Sequence, residues 1–177
     1  GKAGAMTGAA PDPAELSAQL AAQGYAAAGR LLTDESCAAL RAGFAAADGY
    51  RSTVDMARHG YGSGRYRYFS YPLPPVVAAL RARLYPPLAA VANQWAAVTG
   101  EPEGWPRDHA AFITACHAAG QTRPTPLLLR YGAGDYNRLH QDLYGALAFP
   151  LQLIVALSPA SDFGGGELVL VETWPRQ

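Results

Sequence analysis

Arg130-Tyr-Gly-Ala-Gly-Asp-Tyr-Asn-Arg-Leu-His-Gln-Asp142 is the stretch on which the reading of this chain turns. His140 and Asp142 are two residues apart. On extended backbone, side chains at i and i+2 leave the same face. A neutral imidazole and a carboxylate so placed can chelate one metal ion at adjacent positions. Two His and one carboxylate on one face of an ion leave three positions open, the arrangement of non-heme iron oxygenases. An HxD alone is a weak signal, since it equally describes a surface His and Asp near a strand end.

The surroundings give the pair its context. Pro126–Tyr131 is a short apolar run with strand character, and Gly132 and Gly134 supply a turn before the HxD. From Phe149 to Leu157, Phe149, Leu151, Leu153, Val155 and Leu157 alternate with Gln152, Ile154 and Ala156, which predicts a strand. Gly164-Gly-Gly166 then turns into a third predicted strand, Glu167–Glu172. Ahead of this half the pattern is helical. Pro11–Gln23 is Ala-rich with Leu16 and Leu20 at i, i+4 and Gly24 to close it. Thr33 caps a helix with Asp34 and Glu35 in its first turn, running to about Ala47. Pro75–Val98 is helical, with a break or kink expected at Pro86-Pro87. Residues 107–119 form a shorter helix with Phe112, Ile113 and Cys116 inward. Residues 49–73, which include the alternating aromatic run Tyr61–Tyr71, suit a strand or an ordered active-site loop. Gln121, Thr122 and Arg123 read as a linker.

Helices followed by strands predict an α+β domain. The chain has 177 residues, half of them hydrophobic and 16% charged, enough for one domain with a core. Fourteen basic and fourteen acidic side chains cancel. Bulk charge therefore gives no drive toward nonspecific nucleic-acid binding, although a local basic patch is compatible with it. Cys37 and Cys116 form neither a CxxC nor a disulfide framework, and a reduced, cytoplasmic setting is the expectation. No apolar run is long enough for a membrane span. Residues 1–6 read as a remnant of a cloning vector. There is no phosphate loop ending in GKS or GKT, and no G-x-S-x-G elbow.

The motifs resemble those of 2-oxoglutarate/Fe(II)-dependent dioxygenases. Tyr131, Gly134, Leu139, His140, Gln141 and Asp142 are similar to the RY-x-x-G-x5-HQD pattern of AlkB-type nucleic-acid dealkylases. Tyr131, Gly132, Gly134, His140 and Asp142 also fit the pattern of prolyl 4-hydroxylase-like enzymes, and Phe163-Gly-Gly-Gly-Glu-Leu168 resembles a later strand of that group. His59-Gly-Tyr-Gly-Ser-Gly64, Tyr68-Phe-Ser-Tyr-Pro-Leu-Pro74, Cys116–Pro126 and His140–Gly145 resemble a bacterial subgroup described as catalysing oxidative demethylation of damaged DNA.

The resemblance implies N-terminal helices packed on a partial double-stranded β-helix, a jelly-roll or cupin-like core. It implies one dioxygenase domain over 7–177, with 7–120 mostly helical and 121–177 the first strands of that core. His140 and Asp142 would be catalytic iron ligands, and Tyr131 would hydrogen-bond 2-oxoglutarate. The dealkylases carry an Asn two residues before that tyrosine; here it is Leu129. Tyr136, Asn137 and Arg138 are candidate substrate contacts or simply turn residues.

The implied cofactors are Fe(II) and 2-oxoglutarate, with ascorbate as a companion reductant. The implied partners are O2 and either alkylated nucleic acid or a Pro-containing peptide. Hydroxylating an N-methyl group gives an unstable hemiaminal that loses formaldehyde, which is demethylation; hydroxylating a proline carbon leaves an alcohol. The rival readings are therefore a protein or amino-acid prolyl hydroxylase and a non-catalytic fragment that binds no iron. The family takes its second iron-binding His and the basic partner of 2-oxoglutarate from strands after the HxD. No His follows His140 in this chain, which is expected to be cut short at Gln177 relative to a native protein. The other histidines are His59, His109 and His117, and the last two read as structural or exposed helix residues. Arg58, His59, Arg65, Tyr66, Arg67, Tyr68 and Tyr71 could stack a base and hold phosphates, but an inward-packed aromatic strand is the favoured reading.

Overall fold

Four helices flank two small antiparallel sheets in a computed structural model that describes residues 6–100 and 104–172. Residues 1–5 of the expected vector remnant lie outside the described residues. Met6 bridges Leu32 and packs on the core.

Helix α1 spans Pro13–Gln23. The Asp12 carboxylate accepts from the Ala14 amide, Pro13 opens the helix, and Gly24 closes it in the left-handed region at φ 76°. Helix α2, Asp34–Gly43, starts as expected: Thr33 accepts from the Ser36 amide. It stops four residues earlier than the periodicity suggests. Arg67 reaches across from the sheet and donates to the carbonyls of Phe44 (2.5 Å) and Ala46 (2.8 Å), while its guanidinium lies 3.8 Å from the Tyr50 ring centre. Carbonyls taken by a side-chain cation no longer need a further helical turn.

Helix α3, Pro75–Thr99, runs through Pro86 and Pro87 without stopping. The two prolines remove the amides that would bond the Ala82 and Arg83 carbonyls. Burial of the flanking turns holds the helix across them: Leu84, Tyr85, Ala89, Val91 and Ala92 are all buried. Helix α4, His109–Ala118, is capped by Asp108 and buries Cys116. Among the described residues no helix is long and apolar enough to cross a membrane.

Residues 49–73 are both things the sequence allowed, strands and a loop. Strands β1 (Tyr50–Asp55) and β3 (Arg65–Phe69) pair antiparallel, and β4 (Leu127–Arg130) joins the other edge of β3. The central strand thus comes from the front of the chain. Between β1 and β3, a 3-10 turn at Met56–His59 and β2 (Gly62–Ser63) fold back so that β2 pairs with β5 (Tyr136–Asn137). The register sorts the faces. Phe69 and Leu128 enter the core with Leu31, Leu32, Leu40, Val77, Leu80 and Leu84, whereas Tyr66 and Tyr68 lie opposite Leu129 and Leu127 on the other face.

The predicted strands Phe149–Leu157 and Glu167–Glu172 form no ladder among the described residues. Alternation specifies which side chains turn inward, but a strand also requires a neighbour that offers its own amides and carbonyls. The expected sidedness survives in part of the first segment: Val155 and Leu157 pack on the core and Ile154 is exposed, but Leu153, expected inward, is exposed too. Phe149 joins an aromatic cluster with Tyr85, Phe112 and Trp105, at ring separations of 5.1–5.6 Å. In the second segment Leu168–Val171 are all exposed.

Gln121 lies in the connection between α4 and β4, as expected, but it is also anchored. Its amide donates to the Leu147 carbonyl (3.1 Å) and accepts from the Leu147 amide (2.8 Å), as a strand neighbour would. Gly145 gives it room, since a Cβ there would sit 2.6 Å from the Gln121 side chain.

Gly62 is the tightest point of the β2–β5 pair: its φ is +121°, and a Cβ would overlap the Tyr136 carbonyl. Gly62→Ala is expected to destabilise the chain by about 1–3 kcal/mol, whereas Gly134→Ala, at φ +81° with open space, costs about 1–2 kcal/mol from backbone strain alone. Denaturant unfolding of both variants checks this, and the loss of the β2–β5 pairing signals should be confined to Gly62→Ala.

Candidate functional site

The β4–β5 turn places the HxD. Asp135 accepts from the Gly132 amide at 2.7 Å, and a further hydrogen bond from Ser63 ties the turn to β2. These bonds hold its carboxyl below the usual aspartate range. Beyond β5 the pairing continues for one more bond, from the Arg138 amide to the Tyr61 carbonyl (2.9 Å). The chain therefore reaches His140 with its direction already fixed.

At His140 the backbone sets the tautomer. Its Nδ1 lies 2.7 Å from the Arg138 carbonyl oxygen. A carbonyl only accepts, so Nδ1 carries the proton, and in the neutral ring Nε2 keeps its lone pair. That lone-pair nitrogen is 3.6 Å from Asp142 Oδ1. The other carboxylate oxygen, Oδ2, accepts from the Gln152 amide at 2.9 Å. One nitrogen and one oxygen thus face each other, each oriented through its far side. Nitrogen and oxygen ligands about 2.1 Å from one ion stand roughly 3–4 Å apart, so the gap accommodates a shared ion. Oriented imidazoles and hydrogen-bonded carboxylates are what metal ligation uses. The described residues provide this pair and no third: no group of three His, Cys, Asp or Glu gathers among them. His59 stacks on Tyr61, His109 packs against Tyr85, and His117 meets Tyr71 edge-on.

Tyr131 lies beside the β2–β5 pair, its ring against Gly64, where a Cβ would stand 2.9 Å from Cδ1. Burial raises its pKa, with a hydrogen bond to Asn137 pulling the other way, so the hydroxyl remains a proton donor at neutral pH. Of the candidate substrate contacts, Asn137 is thus engaged with Tyr131 and Arg138 orients His140, while Tyr136 is 54% exposed.

Tyr66 and Tyr68, which the favoured sequence reading packed inward, lie on the sheet face away from the core cluster. Both have pKa values raised by burial, and the Asp142 carboxylate and Tyr144 are near enough to add to the rise. Strand alternation was the available signal: with Phe69 and Arg67 committed to the α2 side, Tyr66 and Tyr68 must face the other way. Gln152 left no motif, because its partner lies ten residues back and outside any ladder.

The lowered Asp135 pKa makes the turn acid-sensitive. The stability it contributes is complete above the ordinary aspartate value near 3.8 and is lost as pH falls through its lower folded value. Asp135→Asn is expected to remove this component from the pH dependence of thermal unfolding below about pH 4, and an unchanged acid limb would contradict it.

Comparison with known proteins gives these observations a setting. The model of a protein family described as an oxygenase, catalysing oxidative methylation of damaged DNA, matches residues 64–177. Two proteins of Mycobacterium tuberculosis, both named as uncharacterized, are each 50% identical over 109 residues, which is 61% of this chain and 47% of theirs. The chain spans about half the length of these curated relatives. No solved structure matches it. The matched span holds β3, β4, β5, His140 and Asp142, and the chain belongs to this oxygenase family, described as acting on damaged DNA.

Proposed function

We propose that the chain is the iron-binding part of a 2-oxoglutarate-dependent oxygenase that oxidatively demethylates alkylated DNA. The observation that carries the reading is the opposition of His140 Nε2 and Asp142 Oδ1 at 3.6 Å, with Nδ1 and Oδ2 engaged behind them. In this reading β1, β3 and β4 contribute to a double-stranded β-helix core.

His140 and Asp142 would hold Fe(II) through Nε2 and Oδ1. Bound iron would supply O2 activation coupled to decarboxylation of 2-oxoglutarate, and oxygen insertion into a substrate C–H bond. The protein's own part is positional. Arg138 keeps the imidazole in the binding tautomer. Gln152 keeps Oδ1 turned toward it. Tyr131, its hydroxyl protonated, is suited to donate to 2-oxoglutarate. The third ligand and the cation for the distal carboxylate are assigned to no described residue.

His140→Ala and Asp142→Ala should each abolish Fe(II) binding measured by anaerobic titration, while His117→Ala, away from the pair, should bind normally. Unchanged stoichiometry in His140→Ala would reject the assignment. Gln152→Leu keeps both ligands but frees the carboxylate, and a loss of about 10-fold in Fe(II) affinity is expected. For the substrate, formaldehyde release from methylated single-stranded DNA supports the reading. Hydroxylation of a Pro peptide in its place would overturn it in favour of a prolyl hydroxylase.

A further inference from the structure

The two segments that meet at the site, 51–68 and 130–144, are unlike the rest of the chain. They hold six of its ten tyrosines, and six arginines against three aspartates, in a protein with no net charge. The aromatics are grouped rather than scattered. Tyr66 and Tyr68 meet edge to face at 5.6 Å, and the Arg51 guanidinium lies 4.1 Å from the centre of the Tyr68 ring. Arg51 is itself fixed by donating to the Pro124 carbonyl at 3.0 Å.

Three features separate this group from ordinary core packing. It lies on the sheet face opposite the core cluster, since Phe69, Leu128 and Arg67 occupy the other side. Its rings are half-buried rather than enclosed. Neither phenol hydroxyl has a hydrogen-bond partner among the described residues, so both remain available to something else. In the same two segments Arg58 and Arg138 are exposed and without an ion-pair partner among the described residues. Planar rings and a planar cation, with exposed guanidiniums in the same two segments, match what single-stranded nucleic acid requires: π-faces for bases and cations for phosphates. A neutral Pro-rich peptide would use the rings but would leave the arginines unpaired.

We infer that Arg51, Tyr66 and Tyr68 form a base-stacking subsite that receives an unpaired nucleobase beside Asp142; this rests on the nucleic-acid reading given above. The base must arrive unpaired, because half-buried rings on a sheet face cannot reach one that is stacked within a duplex.

The test is fluorescence anisotropy with the full chain and a labelled oligo(dT), in the presence and absence of Fe(II). An oligonucleotide of equal length and charge but with abasic residues is expected to bind about 10-fold more weakly or worse. Tyr68→Ala and Tyr66→Ala should lower oligo(dT) affinity to a similar degree, while Tyr68→Phe and Tyr66→Phe, which keep the ring, should bind like the parent chain. Equal affinity for the abasic strand overturns the subsite without needing any variant to fold. So does an oligo(dT) affinity that the Ala variants leave unchanged, or preferential binding of a Pro-rich peptide. His140→Ala separates the two claims. Lost iron binding with intact, base-dependent oligonucleotide binding supports both. Retained iron binding sinks the metal assignment and leaves the subsite standing.

Discussion

The hydrogen bond from His140 Nδ1 to the Arg138 carbonyl is the constraint on which the site depends. It spans two residues, costs the chain no long-range ordering, and decides which ring nitrogen carries a lone pair. The Arg138 carbonyl can do this only because its own peptide is held: the Arg138 amide bonds Tyr61, and β5 is paired to β2. A pairing of two residues per strand is weak alone. Its stability comes from the loop that carries β2, anchored by fully buried Met56, whose amide and carbonyl bond Gly64 and Tyr61.

The route from core to site is therefore short. Phe69 and Leu128 lock the central sheet to α2 and α3. The same register turns Tyr66 and Tyr68 to the opposite face, and β4 delivers the turn that ends at the HxD. Arg67 takes part on the core side, holding the carbonyls at the end of α2 and covering Tyr50. Gln121 acts as a stand-in for a strand neighbour by bonding both backbone groups of Leu147, while Gln152 donates to the Asp142 carboxylate. Side-chain amides carry both a donor and an acceptor, which lets them replace a ladder locally.

Much of this was legible in the residues. Caps at Thr33 and Gly24 read correctly because they are local, as did the four helices and the strand before the HxD. The i, i+2 spacing of His140 and Asp142 rightly predicted that their side chains converge. The end of α2 was misread because its carbonyls are satisfied by an arginine more than twenty residues away. The two late strands were overread, since period-two patterning reports sidedness and not the presence of a neighbour. Tyr66 and Tyr68 were misassigned because an aromatic stripe looks alike on either face of a sheet until a partner strand fixes the register. Gln152 was out of reach, since nothing in its local sequence names its partner.

The central claim is that one imidazole nitrogen and one carboxylate oxygen are jointly poised for a single ion. Long-range nitrogen–proton NMR of His140 during titration with a diamagnetic divalent cation such as Zn2+ tests it most directly. The account predicts a ring with its proton on Nδ1, whose Nε2 resonance moves as the ion is added while Nδ1 stays protonated, with Asp142→Asn weakening the response. A ring protonated on Nε2, or one indifferent to the ion, would contradict it.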